Sequence, residues 1–406
     1  MTAIDLSPTR PRQVFEPAPL GPITLRNRTI KAATSEGRSP EGKVTDELIA
    51  FHRGLADGGI GMTTLAYCAV DRAGFAAPGE ILMERASLPG LKDFTQAIHE
   101  GGAHASAQLG HAGPVASAKI TGEKPLAPSR FLSPSQFTFS RAITVPEIQQ
   151  VIRKFADSAE LAVEAGVDAI ELHFGHLYLV SSFMSPWINK RKDEYGGSIE
   201  NRSRFAREIA EAVKERVGDS IAITAKLSMS DDIKGSIWLD ESLRTAQLLD
   251  ADGHLDALVL TQGSSVFHQM YLFTGDTPID GFASVMPQPF KTGIKVVGKQ
   301  VLGEYPYKDL YMLESARQFV PSLRNTQLVL LGGINNYEHM QTGLDEGFDF
   351  LAMGRAVLRE PDLVARIERD RSVDGRCIHC NKCMFTVYSK THCVFAPEYA
   401  MSGASA

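Results

Sequence analysis

The sequence predicts an α/β protein, a (β/α)8 TIM barrel with an N-terminal β-hairpin and long loops after its strands. Three observations predict it. Eight short apolar runs read as strands, helical patterns lie between most of them, and 406 residues are a length that one such barrel can fill. The longest connections, roughly 110–145, 174–200 and 262–308, all follow strands, on the face where barrels assemble their sites.

In chain order, residues 17–30 (PAPLGPITLRNRTI) are Pro- and Gly-punctuated β segments, a hairpin suited to closing the barrel bottom. Strand-like runs follow at 29–33, 62–66, 103–109, 167–173, 221–227, 257–261, 327–331 and 350–353. Helical patterns stand between them, for example at 48–58, 91–101, 242–251 and 337–347. Residues 148–165 place Ile148, Val151, Ile152, Phe155, Ala159 and Ala162 on one helical face, and Gly166 sits where a left-handed cap is easiest. In the next strand, alternation sends Ile170 and Leu172 to one face and Glu171 and His173 to the other. That strand therefore delivers polar side chains to the loop after it.

Composition narrows the function classes. With 43% hydrophobic and 22% charged residues a large core is available, and a net charge of -6 with pI ≈ 6.0 argues against a nucleic-acid surface. The leading stretch MTAIDLSPTRPRQVF lacks the apolar core of a signal peptide, and no segment approaches the ~18 apolar residues of a membrane span. A cytoplasmic protein is expected, with homo-oligomerisation left open. Of five cysteines, Cys68 stands alone while Cys377, Cys380, Cys383 and Cys393 crowd the C-terminus. In a reducing compartment such crowding suggests metal or redox chemistry rather than disulfides.

Several residues can carry chemistry. Gly-Gly-Ile at 332–334 and Met-Gly-Arg at 353–355 follow candidate strands seven and eight, where Gly333, Gly354 and Arg355 can form an anion pocket. Lys226 ends candidate strand five and needs an anion, either Glu171 on the neighbouring strand or a cofactor. His173 and His176 beside Tyr178 suit an oxygen clamp with a proton donor better than a zinc site, because no third ligand stands nearby. Phe267, His268, Tyr271 and Phe273 in the 262–308 connection either cover a substrate or pack among themselves.

The segment HFGHLYL, then FMSP, NKR and DEYGGSIENR, resembles the signature of the old yellow enzyme family of FMN-dependent NADH:flavin oxidoreductases and ene-reductases. LRNR (25–28), QLGHAG (108–113), GGI and MGR fall in the family's order. The resemblance implies one FMN-binding barrel domain over 1–406, with 374–406 a cysteine-containing C-terminal extension. It implies that Gln108 bonds the pyrimidine ring, that Lys226 faces flavin N1 and O2, and that Gly333, Gly354 and Arg355 hold the phosphate. Ser35 stands where relatives use Thr or Cys near flavin O4. NADH or NADPH would give hydride to the flavin. An α,β-unsaturated carbonyl compound would then bind with its oxygen on His173 and His176 and be protonated at Cα by Tyr178.

Two departures qualify the resemblance. Leu177 replaces a usual Gly, which is expected to narrow the site or alter the turn, and residues 31–36 (KAATSE) differ from the familiar MetAlaPro version. The run CIHCNKC followed by Cys393 resembles the ligand set of the trimethylamine dehydrogenase and 2,4-dienoyl-CoA reductase branch, which carries a [4Fe-4S] cluster. Cys377, Cys380, Cys383 and Cys393 could hold such a cluster, a zinc ion or nothing. Because no GxGxxG module follows them before Ala406, the branch's electron route into a second flavin region is not expected. Besides ene reduction, the open alternatives are a cluster-using dienoyl-CoA reductase or amine dehydrogenase/demethylase, a non-redox aldolase or isomerase, and a non-catalytic flavin-binding protein.

Overall fold

The computed structural model describes residues 12–133, 138–286 and 288–396. The leading segment 1–11 and the last ten residues of the extension lie outside them. Eight parallel strands close a barrel: β1 (Thr29–Lys31), β2 (Met62–Ala69), β3 (His104–Gly110), β4 (Ala169–Phe174), β5 (Ala222–Ser228), β6 (Ala257–Thr261), β7 (Gln327–Leu331) and β8 (Phe350–Met353). Each pairs with its sequence neighbours, and β8 returns to β1 through Leu351↔Thr29. The (β/α)8 expectation is met, and strands β6, β7 and β8 have the bounds the apolar runs predict.

Two packed layers follow from the period of two along each strand. Ile170, Leu172, Ala225, Leu227, Leu258, Leu330 and Leu351 face outward and bury against the helices, with Phe94, Phe155 and Phe205 from the helical side. Inward, the lower barrel holds Ala169, Ala222, Ala257, Val259, Val329 and Phe350. The hairpin of Ala18–Leu20 and Ile23–Leu25 plugs this end, adding Ala18, Leu20 and Leu25 to the same cluster. One level higher the inward residues become polar, with Glu171 level with Gln108 on one side and Thr224 on the other, and His173 level with Lys226.

The helix before β4 begins earlier than its apolar pattern suggests, at Val145–Glu164. Thr144 and Glu147 cap each other's backbone N–H groups and Pro146 sits in the first turn, so the start is written in polar residues. Gly166 then takes φ +78. After β6, the 262–308 connection carries two helices of its own, Ile279–Val285 and Phe290–Leu302. Gly298 lets them approach, since a Cβ there would lie 2.7 Å from Ile279 Cδ1. No helix among the described residues is long and apolar enough to cross a membrane.

Candidate active site

The top of the barrel opens into a cavity of ≈ 780 Å³. Ser35, Gln108, His173, His176, Tyr178, Lys226, Gly333, Gly354 and Arg355, drawn from six separate strand ends, all line it. The geometry thus brings together every residue singled out for the flavin and the oxygen clamp.

On the floor, the Glu171 carboxylate accepts from Gln108 Nε2 at 2.6 Å and pairs with Lys226 Nζ at 2.9 Å. Both ends of that ion pair are nearly solvent-free, at 2% and 5% exposure, so neither could be buried without the other. The Lys226–Glu171 pair therefore exists, and Lys226 still faces the cavity.

Beside it, β4 ends in His173 and turns sharply. His176 and Leu177 both take left-handed φ, 62° and 57°. The His176 N–H donates to Ser228 Oγ at 2.9 Å, and its Nε2 lies 3.1 Å from Thr261 Oγ1. Ring centroids are 5.0 Å apart for His173 and His176 and 4.6 Å for His173 and Tyr178. Burial, with each other and Lys226 nearby, pushes the His173 pKa well down, and burial then Lys226 lowers His176 to about 3. Both imidazoles are neutral at physiological pH, and His173 Nδ1 is buried without a hydrogen-bond partner. Leu177 does not narrow the site. Its side chain is fully buried beside Ala112, Val115, Ile188 and Ile233, and this packing offsets the cost of a left-handed Leu.

The opposite wall is the β7 and β8 ends. Gly333 has φ +75, and a Cβ there would meet Leu310 N at 2.5 Å, so no other residue fits. At Gly354 the nearest atom to a Cβ would be Thr34 Cγ2 at 3.9 Å, so packing does not forbid a side chain and its absence leaves room toward the cavity. Arg355 donates Nη1 to the Phe273 and Thr274 carbonyls at 3.2 and 3.0 Å and to Asn381 Oδ1. It fastens the 262–308 excursion to the C-terminal segment.

Sequence reasoning named Glu171 as a partner for Lys226, which the structure bears out, but missed its bond to Gln108 and three other contributors. Glu80 sits on the cavity wall and accepts the Ala76 N–H at 2.8 Å, and burial lifts its pKa to about 8. Phe282, Met286, Phe290 and Ile294 extend the cavity as an apolar annex. The KAATSE segment is locked from below, where Lys31 pairs with Glu36 and Glu36 also accepts the Ala66 N–H at 3.0 Å. Of Phe267, His268, Tyr271 and Phe273, Phe273 alone reaches the cavity, while Phe267 stacks on His268 at 4.3 Å.

The C-terminal extension closes the remaining side. Thr391 donates Oγ1 to Ser35 O at 2.5 Å and its N–H to Glu36 O at 3.0 Å, which places the extension against the KAATSE segment. Cys377, Cys380, Cys383 and Cys393 are free and line one small cavity with Arg355, His379 and Asn381. Burial raises the thiol pKa of Cys377 and lifts that of Cys383 to about 12. Among the described residues no three of these sulfurs lie within 4.8 Å of one another. That is wider than one tetrahedral zinc with ~2.3 Å bonds would gather.

The NADH:flavin oxidoreductase / NADH oxidase family matches residues 13–264. The chain belongs to this family. It is an NAD(P)H-dependent flavin oxidoreductase, and family membership implies FMN as the cofactor. The chain is 49% identical over 381 residues to the 4,4'-dithiodibutanoate disulfide reductase of Rhodococcus erythropolis, covering 94% of each. It is 30% identical to the NADH oxidase of Thermoanaerobacter brockii over 91% of this chain, and spans only 52% of that protein. The old yellow enzyme homologue of Zymomonas mobilis superposes with TM-score 0.73 at 21% identity, covering 97% of this chain and 100% of that one. The cavity fits the cofactor: it is of cofactor size, it offers amide, ammonium and guanidinium donors, and Ser35 Oγ and His173 Nδ1 on its wall are buried without a partner.

Proposed function

We propose that this flavin oxidoreductase moves two electrons from NAD(P)H to an electrophilic acceptor seated on His173, His176 and Tyr178, and that the acceptor is a C=C bond conjugated to a carbonyl. The observation that carries this reading is the convergence of two neutral imidazoles and one phenol on a single wall of the cavity. Gln108 and Lys226 would hold the pyrimidine edge of FMN, Ser35 would stand near its O4, and Gly333, Gly354 and Arg355 would hold its phosphate. Bound FMN supplies the hydride chemistry, taking hydride from NAD(P)H and passing it to the acceptor.

The chain's own residues supply the rest. His173 and His176 donate to the carbonyl oxygen, and this stabilises the negative charge that develops there as hydride reaches Cβ. Neutral imidazoles do this without placing two further cations beside Lys226. Tyr178 gives its phenolic proton to Cα and is reprotonated from solvent, so one hydride and one proton are added across the double bond.

A second acceptor is favoured by the 49% identity, over 94% of both chains, to a reductase of an organic disulfide. In that reading hydride adds to one sulfur, the S–S bond breaks, and Tyr178 protonates the departing thiolate. Steady-state rates with a cyclic enone and with a dicarboxylate disulfide, both under NADH and NADPH, separate the two. Turnover of the disulfide alone would remove ene reduction as the activity, and absence of FMN from reconstituted protein would remove both.

For the C-terminal cysteines, the gathering of four free thiols around one small cavity supports a [4Fe-4S] cluster. Cys377, Cys380, Cys383 and Cys393 would be its ligands. Iron and sulfide analysis of anaerobically purified protein tests it, and iron-free protein would sink it.

A further inference from the structure

We propose a divalent-cation site of the zinc class at the bottom of the barrel, made by His99 Nε2, His104 Nδ1 and the Asp168 carboxylate. The site lies at the opposite end of β4 from the flavin cavity. His99 is in the last turn of the helix Leu88–Glu100, His104 opens β3, and Asp168 immediately precedes β4. Their donor atoms lie within 4.8 Å of one another. Small side-chain rotations would bring each to the ~2.0–2.2 Å of a zinc–nitrogen or zinc–oxygen bond.

The decisive observation is the orientation of the His104 ring. Its Nε2 lies 3.0 Å from the Thr24 carbonyl oxygen, which can only accept, so Nε2 carries the hydrogen. With that hydrogen alone on the ring, Nδ1 turns its lone pair on Asp168 Oδ1, 3.0 Å away. Two acceptors held face to face need something positive between them, either a second proton or a metal ion. A ring that donates one N–H to a backbone carbonyl while offering the other nitrogen outward is also how metal-ligating histidines are oriented.

The carboxylate is equally well placed. Asp168 Oδ2 accepts the Ala105 N–H at 2.7 Å and lies 2.7 Å from His99 Nε2. Arg26, the nearby cation, is turned onto the carbonyls of Ala56, Ile60 and Gly101. His99 is 44% exposed, so an ion can enter from solvent and keep water in its fourth position. Two imidazoles and one carboxylate suit zinc, nickel or cobalt rather than magnesium or calcium. A bound ion would join a helix end and two strand starts, and through Thr24 the hairpin.

Equilibrium dialysis of the metal-stripped, full-length flavoprotein against zinc chloride tests the site, with the wild type beside His99→Gln. His99 is a surface residue, so its variant should fold, and zinc on the C-terminal cysteines enters both proteins alike. The wild type should retain one more zinc per chain, and zinc should raise its thermal midpoint more than that of the variant. Loss of a ligand should weaken binding by at least the ~10–100-fold that losing an outer partner costs. Equal zinc content and equal thermal response in the two proteins would overturn the site and leave a doubly protonated His104 as what fills the gap.

Discussion

The two ends of strand Ala169–Phe174 hold histidines in opposite electrostatic states, His104 below and His173 and His176 above. At the entry, His104 is half-buried beside Asp168, and the bond to that carboxylate raises its pKa. At the exit, His173 is buried and His176 partly buried, neither paired with a carboxylate, and desolvation drives both pKa values down. The nearest upper carboxylate, Glu171, is already occupied by Lys226 and Gln108. The same side chain is thus ready to hold charge at the bottom and kept neutral at the top. Burial alone does not decide a histidine's state; whether an anion is left for it does.

The largest break in this contrast comes from the group that neutral imidazoles serve. Tyr178→Phe should slow reduction of the acceptor by about a hundred- to ten-thousandfold, the usual worth of a positioned general acid. Anaerobic stopped-flow should show reduction of bound FMN by NAD(P)H almost unchanged. Equal loss in both half-reactions would show that Tyr178 shapes the cavity rather than delivers a proton.

Next is the ion pair that keeps Glu171 from the histidines. Glu171→Gln strands the Lys226 ammonium in the barrel and should cost about 3–5 kcal/mol, read by denaturant unfolding of flavin-free protein. Adding Lys226→Met to that variant should restore a large part of it. A single variant as stable as the wild type would mean that the pair contributes little.

The barrel was legible because its strands are apolar runs that end at Gly or polar residues. Strands β6 to β8 needed nothing more. The helices Ile279–Val285 and Phe290–Leu302 were not legible, because Pro289, Gly293 and Gly298 interrupt their pattern and their small residues make sense only once the two helices pack. The site residues were legible as types in an ordered motif. Glu171 as a bridge was not, since it requires the register that sets it level with Gln108 and two residues below Lys226's partner His173. Glu80 and the sealing contact of Thr391 to Ser35 come from loops distant in sequence, where periodicity carries no information.

Leu177 offers a sharper and smaller test of which side chains belong to the upper site. Because it is fully buried away from the cavity, Leu177→Ala should destabilise the fold by about 2–3 kcal/mol through the void it leaves. The Michaelis constant and turnover should stay near wild type at a temperature where the variant is folded. A changed acceptor preference would instead place Leu177 at the substrate.

The smallest effects at any one pH come from titration, and they sharpen the comparison most directly. His176 has a folded pKa of about 3 against 6.5, so between those values the unfolded chain binds a proton that the folded one refuses. Stability is therefore lost as pH falls from 6.5 toward 3, with a slope of at most about 1.4 kcal/mol per pH unit. Glu80 works the other way: its folded pKa of about 8 against 4.5 means the folded chain keeps a proton the unfolded one releases, and stability falls as pH rises across that window. From 4.5 to 6.5 the two slopes oppose each other. Glu80→Gln should hence lessen the fall above pH 6.5 and steepen the net loss below it, whereas His176→Gln should lessen the acid-side loss, to which His173, His52, His111 and His379 also contribute. Urea unfolding across the pH range reads both. If neither variant changes the profile, burial at the cavity wall is not what keeps these groups neutral, and water reaches them freely.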